Sequence, residues 1–254
     1  LGKTLMAVAA CEQLKAEKIL YITMKSLLFN VEKEIKKWRP EEKTVVLLEI
    51  RQSERVQKYK KDVKYYIVNY EKVLRDMDIL VNLEWDVIIA DEATKIANSQ
   101  TKISKAIRLL KAKKKIAMTG TPIANTPADL WSPVDWLMPE LLGTWWQFRQ
   151  SYCELNWWGH VEGYQNLDRL KEIIKPYFLR RLKTEVAKEL PEKVKQEIIF
   201  ELSSEEKKVY KAVKSELLSE INGLMLSKVD WGTLNLALTK MVRFKQITDH
   251  LSLV

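Results

Sequence analysis

Apolar and polar positions alternate in a regular order along the first half of the chain. Short apolar runs, rich in β-branched and aromatic residues, occur at residues 19–23, 44–50, 65–69, 85–90 and 116–118. Amphipathic stretches with helical spacing lie between them, at residues 27–38, 71–81 and 101–110. Because most of the apolar runs are continuous, they are typical of strands buried on both faces. The pattern predicts an α/β fold in which helices cover both faces of a parallel sheet.

The pattern changes at about residue 129, where long helical stretches replace the alternation. One more strand is predicted over residues 195–202. Ser203, followed by a second serine and two glutamates, is typical of a helix N-cap, and that helix is predicted to continue to about residue 223. Another helix is predicted over residues 234–247. We therefore expect the second half to be mainly helical.

Tryptophans cluster in this second region, at positions 131, 136, 145, 146, 157 and 158. Aromatic side chains can stack on nucleic-acid bases, so the cluster is one candidate for a binding surface. The helical spacing of Trp131, Trp136 and Leu137 instead favours packing inside a helical subdomain. We prefer the packing interpretation.

The chain is basic, with a net charge of +9 over 254 residues. A positive surface favours polyanionic partners such as nucleic acid, although a basic surface kept for solubility has the same net charge. The short basic run at residues 111–115 is expected to be a solvated loop before a strand, not a binding site.

Cysteine and histidine are sparse: the chain contains only Cys11, Cys153, His160 and His250. This set cannot build a disulfide framework or a Cys/His zinc site, so we expect no structural metal and a reducing compartment. No apolar run approaches the roughly 20 residues of a membrane span, so no membrane partner is expected.

The first chemical motif is Leu1-Gly2-Lys3-Thr4, which leads directly into an apolar helical stretch. It matches the end of a phosphate-binding loop, in which glycine admits a phosphate to the backbone amides, lysine reaches the β- and γ-phosphates and threonine ligates Mg²⁺. The following helix would direct the positive end of its dipole at the nucleotide. Such triplets also occur by chance at helix starts, so this motif alone is a weak signal.

The second motif is a pair of carboxylates, Asp91 and Glu92, at the end of the apolar run that precedes them. Ligand sites of α/β proteins lie at the carboxyl ends of the strands. There Asp91 would hold Mg²⁺, usually through water, and Glu92 would orient and deprotonate an attacking water. The alternative is that both acids cap the strand and are solvated.

The third motif is the turn Thr119-Gly120-Thr121-Pro122, which follows another strand. Its hydroxyls could contact the acids of the neighbouring strand and sense the γ-phosphate that those acids hold. The alternative is an ordinary strand-to-helix turn with threonine as the N-cap. Three motifs in this order, each beside an element of an α/β pattern, together predict a nucleotide site much more strongly than any one of them.

Residues 1–4, 91–94 and 119–122 resemble motifs I, II and III of superfamily 2 helicase-like ATPases. The surrounding residues resemble the Swi/Snf group of double-stranded-DNA translocases, and the likeness covers nearly the whole chain. The most specific match is the extension of motif III, where residues 119–125 are followed by Asp129-Leu130-Trp131. Other matching stretches are residues 26–38, 68–71, 163–167, 178–193 and 238–250.

The resemblance implies a RecA-like lobe of the P-loop NTPase class with an inserted helical subdomain. It also implies ATP as the nucleotide and Mg²⁺ as its metal. The catalytic residues would be Lys3 and Glu92. The nucleotide would be bound by Gly2, Lys3, Thr4 and Asp91, and the metal would be ligated by Thr4 and Asp91.

Four further residues, Thr94, Thr119, Gly120 and Thr121, would couple the nucleotide state to movement. Thr94 stands where the family usually has histidine, so the resemblance implies that this coupling differs here.

Double-stranded DNA is the partner that the resemblance implies, with Lys25, Ser26 and Asn69 beside one strand. Simple surface exposure is an equal alternative for Lys25. Arg180 and Arg181 would be a phosphate clamp or a brace between two lobes, which the resemblance favours over solvated helix residues.

The resemblance also divides the chain. Residues 1–135 would be the ATP-binding lobe, whose start the chain does not contain, and residues 136–190 a helical protrusion with a basic connecting segment. Residues 191–202 would be a further strand of the lobe, and residues 203–254 a second part of the protrusion that leads towards a second RecA-like lobe. Because that lobe is not in these residues, we expect the fragment alone to be inactive.

Two alternatives to a duplex-DNA translocase remain. One is a strand-separating DNA or RNA helicase, which the extended motif III and residues 178–193 disfavour. The other is a non-catalytic nucleic-acid-binding module, which the intact Lys3, Asp91 and Glu92 disfavour. A cytoplasmic location is expected for a bacterial or phage protein and a nuclear one for a eukaryotic protein.

Overall fold

A computed structural model describes residues 2–49, 51–181, 185, 194–197, 201–225, 239, 242 and 246. These residues belong to two compact units, residues 1–186 and residues 187–254. The domain boundaries predicted at residues 135, 190 and 202 stay predictions.

A parallel sheet forms the centre of the described part of the first unit. Its strands are β1 (Ile19–Thr23), β2 (Thr44–Leu47), β3 (Tyr65–Asn69), β4 (Trp85–Asp91) and β5 (Ala112–Met118). They lie in the order β2-β3-β1-β4-β5, so β1 is central. Thr23 pairs in register with Asn69, and Asp91 with Met118. The predicted α/β fold with a parallel sheet is therefore confirmed.

Helices cover both faces of this sheet. They are α1 (Lys3–Gln13), α2 (Leu28–Trp38), α3 (Gln52–Tyr59), α4 (Tyr70–Arg75), α5 (Met77–Leu80), α6 (Lys102–Leu109) and α7 (Trp131–Leu137). Side chains of α1 and α2 pack with Ile19, Tyr21 and Ile89 on one face. Side chains of α3 to α7 pack with Leu20, Ile22 and Ile88 on the other. Successive strand residues point to opposite faces, which explains why the apolar runs are continuous.

Beside the sheet, residues 71–81 and 111–115 differ from the prediction. Residues 71–81 form two short helices instead of one, and the break is at Asp76, whose carboxylate is buried against Arg55. The basic run at residues 111–115 is not a loop, because β5 begins at Ala112. β5 is an edge strand of the described sheet, so Lys113 and Lys114 remain exposed while their backbone pairs with β4.

A separate hydrophobic cluster lies further along the same unit. It joins Leu130 and Trp131 to side chains of α8 (Trp145–Tyr152) and α9 (Leu167–Ile174). Trp131 is buried in this cluster, which confirms its predicted packing, whereas Trp136 is buried in the core beside the sheet and not in the helical region. Trp145, Trp146, Trp157 and Trp158 are exposed. An antiparallel hairpin of β6 (Cys153–Leu155) and β7 (Val161–Tyr164) interrupts this mainly helical region, and the sequence pattern did not predict it.

The described part of the second unit is dominated by α10 (Ser204–Met225). The side chain of Ser203 accepts a hydrogen bond from the Glu206 amide (3.3 Å), while the Ser203 amide donates to the Glu206 carboxylate (2.7 Å), so the predicted N-cap is confirmed. Of the strand predicted over residues 195–202, the described residues lie outside any strand, and residues 198–200 lie outside the described part. Most of the helix predicted over residues 234–247 also lies outside it.

Among the described helices, none is long and apolar enough to cross a membrane. Cys11 and Cys153 are both buried free thiols. Burial raises the pKa of Cys11 to about 12, so this thiol stays protonated at neutral pH.

Candidate functional site

Polar side chains gather at one edge of the sheet, where the parallel strands end. β1 ends at Thr23, β3 at Asn69 and β4 at Asp91, and Thr119 follows the end of β5. Parallel strands bring their carboxyl ends to the same edge, so residues distant in the chain become neighbours there. This edge contains most of the site residues predicted from the sequence.

The N-terminus of α1 lies at this edge. Gly2 precedes the helix with a left-handed backbone (φ 67°), a conformation that glycine adopts without steric cost. A Cβ atom placed on Gly2 would meet no other atom within 4 Å, so the surroundings of this turn are open. The first amide groups of α1 have no partner within the helix and favour an anion.

Lys3 connects α1 to both acids at the end of β4. Its ammonium nitrogen lies 2.6 Å from Oε1 of Glu92 and 3.9 Å from Oδ1 of Asp91. The side chains of Lys3 and Glu92 are 31% and 36% exposed, so solvent or a ligand can reach this pair. The structure therefore brings Lys3 to the acid pair, although Lys3 and Glu92 lie 89 positions apart in the chain.

Asp91 is the more enclosed of the two acids, with 6% of the residue exposed. Its Oδ1 accepts a hydrogen bond from the Glu92 amide (3.0 Å), and its Oδ2 accepts one from the Thr23 hydroxyl (3.2 Å). Burial raises the pKa of Asp91, while the positive charge of Lys3 and these hydrogen bonds act in the opposite direction. The site therefore favours a cation beside this carboxylate.

Glu92 has a left-handed backbone with φ 52° and ψ 54°. This region is unfavourable for a residue with a Cβ atom, and such strain is concentrated at functional sites. The conformation ends β4 abruptly and starts the short 3₁₀ turn Ala93–Ile96. The Glu92 carboxylate thereby lies beside Lys3 instead of following the line of the strand.

Thr4 and Asp91 line one open cavity of about 440 Å³, whose opposite wall is formed by α2 and includes Asn30 and Glu34. A hydroxyl and a carboxylate are oxygen ligands, the type that Mg²⁺ prefers. The donor set therefore fits a magnesium ion with several water ligands. Among the described residues, no group of three or more His, Cys, Asp or Glu side chains could hold a metal by itself.

The turn after β5 lies next to the acids but is not bonded to them. The Thr121 amide donates to the Thr119 hydroxyl (3.1 Å), and Gly120 is exposed. Thr94 donates to the Glu92 main-chain oxygen (3.4 Å). No hydrogen bond in the described part of the chain joins residues 119–121 to Asp91 or Glu92.

The residues predicted to contact DNA differ in exposure. Lys25 and Ser26 are exposed on the 3₁₀ turn Lys25–Leu27, directly after β1. Asn69 is only 4% exposed; its amide nitrogen donates to the Glu71 carboxylate. Arg180 and Arg181 are exposed and lie outside helices and strands. Of the three residues at the sheet edge, Lys25 and Ser26 are thus open to solvent and Asn69 is not.

Three residues that surround Asp91 were given no role from the sequence, although Tyr70 lies in the matching stretch 68–71. Thr23 donates to its carboxylate, and the Tyr70 hydroxyl donates to its main-chain oxygen (2.6 Å). The hydroxyl of Tyr21 is buried near Thr4 and Asp91; burial first, and then the negative charge of Asp91, raise its pKa. A useful signal would have been their position at or beside strands that end at the same edge as β4.

Comparisons with known proteins agree with this geometry. The family model of the SNF2-related domain matches residues 1–253. The "Chromodomain-helicase-DNA-binding protein 1" of Gallus gallus is 31% identical over 100% of this chain and 15% of its own length. The "ISWI chromatin-remodeling complex ATPase ISW1" of Saccharomyces cerevisiae is 29% identical over 90% of this chain and 21% of its own length.

A solved structure, the "Sulfolobus solfataricus SWI2/SNF2 ATPase core in complex with dsDNA", is 34% identical and superimposes with a TM-score of 0.64. The match covers 100% of this chain and 53% of that one, so the chain spans about half of the solved core. The fold is thus that of a helicase-like ATPase lobe of the RecA type. The chain belongs to the SNF2-related domain family.

Proposed function

We propose that this chain is the first motor lobe of an enzyme that couples ATP hydrolysis to movement along double-stranded DNA. The observation that carries the proposal is the contact of Lys3 with Glu92 and Asp91 at the sheet edge. The exposed turn of Lys25 and Ser26 follows β1, which lies beside β4 in the sheet. The proposed nucleotide site and the proposed polymer surface would thus lie at the ends of two neighbouring strands, β4 and β1.

In the nucleotide site, the Lys3 ammonium would exchange part of its contact with Glu92 for the phosphates of ATP. The free amide groups around Gly2 would add hydrogen bonds at the positive end of α1. Thr4 and Asp91 would hold the magnesium ion, which neutralises charge on the phosphates when bound. Glu92, released from Lys3, would orient a water molecule and accept its proton.

Four residues would couple the nucleotide-bound state of this site to movement of the motor: Thr94, Thr119, Gly120 and Thr121. Their position beside the acids supports that role, since Asp91 pairs in register with the residue before Thr119. Thr94 already contacts the main chain of Glu92. The threonine side chain is shorter than the histidine side chain usual in the family, so Thr94 would reach fewer neighbouring residues when it couples the two sites.

On the polymer side, Lys25 and Ser26 would contact phosphates of one DNA strand, and Arg180 and Arg181 would contribute further positive charge. Such contacts bind without reading the sequence of the DNA. Asn69 is assigned to the same surface by family resemblance, and its burial suggests that it supports the strand end from within.

A second lobe would complete the motor. In ATPases of this type a second lobe contributes arginines that stabilise charge on the transferred phosphoryl group, worth about 10³- to 10⁵-fold in rate. The solved SWI2/SNF2 core, of which this chain spans 53%, supports a second lobe of similar size. We expect residues 1–254 alone to fold but to show almost no DNA-stimulated hydrolysis.

The test is ATP turnover by the full-length polypeptide that contains these residues, with duplex DNA, with RNA and without a polymer. Duplex DNA should stimulate turnover more than RNA does, and its affinity should fall steeply as salt rises, because phosphate contacts dominate. No strand separation is expected in an unwinding assay. Stronger stimulation by RNA, or separation of strands, would contradict the proposal.

A further inference from the structure

Two hydroxyl groups hold Asp91 from two different strands. Thr23, the last residue of β1, donates to its carboxylate at 3.2 Å. Tyr70, the residue after β3, donates to its main-chain oxygen at 2.6 Å. Thr23 and Tyr70 are buried, so both hydrogen bonds lie away from solvent. They meet where β4 ends and the left-handed backbone of Glu92 begins.

The chain on the far side of Thr23 leads directly to the proposed polymer surface. Only Met24 separates Thr23 from Lys25, and the exposed turn Lys25–Leu27 is closed by a hydrogen bond from the Leu27 amide to the Met24 oxygen (2.9 Å). Thr23 and Asn69 pair in register, and Tyr70 follows Asn69 directly. A displacement of the turn would therefore have a short path to Thr23, through one residue, and to Tyr70, through the paired strand ends.

We propose that Thr23 and Tyr70 are positioning residues that transmit phosphate contact at Lys25 and Ser26 to the Asp91–Glu92 pair. The proposal rests on the proposed function, since it requires both a nucleotide at Lys3 and a polymer at Lys25. A displacement of about 1 Å in a reacting geometry can change a rate by about 10²-fold, so small shifts at this junction are sufficient. Polymer binding would thus set the position of Glu92 without touching it.

The two hydroxyls can be removed with little change in packing. The ring of Tyr70 lies in the hydrophobic core beside α4 and β4, so Tyr70→Phe retains the ring and removes only the donor. Thr23→Val is close to isosteric and removes the other donor. A hydroxyl that only stabilised the fold would alter thermal unfolding, but it would not alter the ratio of DNA-stimulated to unstimulated turnover.

The experiment measures that ratio in the full-length polypeptide, together with duplex-DNA affinity and the unfolding temperature. For each variant we expect the ratio to fall about 3- to 10-fold, the range of a typical net hydrogen bond. Thr23→Ser, which keeps the donor, should retain the ratio. Matched controls are Tyr66→Phe, whose hydroxyl donates to the Lys61 oxygen, and Thr44→Val, whose hydroxyl donates to Glu32.

The outcomes separate this inference from the proposed function. If the wild-type protein shows no stimulation by duplex DNA, the proposed function fails and the inference fails with it. If the wild type is stimulated but both variants keep its ratio, only the inference is overturned. An equal fall of the stimulated and unstimulated rates, or a fall fully explained by lost DNA affinity, would also overturn it.

Discussion

Two ion pairs of the first unit both join a basic side chain to a carboxylate, but one is partly exposed and the other is buried. Lys3 and Glu92 meet at the sheet edge, with side chains 31% and 36% exposed. Arg55 and Asp76 meet between α3 and the start of α5, with side chains 2% and 0% exposed. Arg55 donates to Asp76 from two nitrogens, and Asp76 also accepts a hydrogen bond from Tyr59 (3.1 Å).

This difference in burial gives the two ion pairs different capacities. The buried pair stabilises the fold, whereas the partly exposed pair can bind another partner. Asp76 accepts hydrogen bonds on both oxygens, so it has little capacity for another partner. The Lys3–Glu92 pair can instead exchange partners, because both side chains are partly exposed to solvent. Charge alone does not distinguish the two pairs; burial and hydrogen-bond saturation do.

The largest expected effect is on catalysis. In the full-length polypeptide, Glu92→Gln should lower ATP turnover by at least about 10³-fold, because the amide cannot accept a proton from water. The unfolding temperature should stay near that of the wild type, since the side chain is partly exposed. Steady-state turnover and thermal unfolding check the two statements, and substantial turnover by Glu92→Gln would place the catalytic base elsewhere.

The next effect is on stability. Asp76→Ala should destabilise the fold by about 3–5 kcal/mol, because it removes the carboxylate that neutralises the buried charge of Arg55. Chemical denaturation measures this free energy of unfolding. A loss below about 1 kcal/mol would mean that water enters and solvates Arg55, and the contrast with the Lys3–Glu92 pair would disappear.

The smallest effect is expected at an exposed pair. Lys36 contacts Glu32 at 2.9 Å one helical turn away on α2, and the Lys36 side chain is 54% exposed. Lys36→Ala should change the free energy of unfolding by no more than about 0.5 kcal/mol, as is usual for such pairs. The same denaturation assay serves as the check, and a loss comparable to that of Asp76→Ala would refute the burial argument.

The sheet was largely predictable from the sequence because most strands are continuous apolar runs. The prediction was wrong where contacts with other parts of the chain decide the structure. β5 begins among lysines, which an edge strand tolerates because one side remains solvated. At the helix break, Asp76 accepts a hydrogen bond from Arg55, which lies 21 residues away. The spacing of apolar residues does not indicate which distant residue a polar side chain such as Asp76 will contact.

The site was predictable to the extent that its residues form motifs. Lys3 and Glu92 are 89 residues apart, but both belong to recognisable patterns, and the parallel sheet brings them together. Thr23 and Tyr70 contribute single hydroxyls, and neither was assigned a role from the sequence. Their contact with Asp91 follows from strand register, which only the structure provides.

We propose that a nucleotide site at Lys3 and a polymer site at Lys25 lie at one sheet edge as separate surfaces. The direct measurement compares Mg-ATP affinity and duplex-DNA affinity in Lys3→Ala and Lys25→Ala of the full-length polypeptide. Lys3→Ala should weaken Mg-ATP binding about 10- to 100-fold, the range for hydrogen bonds to charged groups, and leave DNA affinity unchanged. Lys25→Ala should weaken DNA binding, lower the salt slope by about 1 and leave Mg-ATP affinity unchanged. Equal Mg-ATP affinity in the wild type and Lys3→Ala would show that Lys3 does not bind the nucleotide.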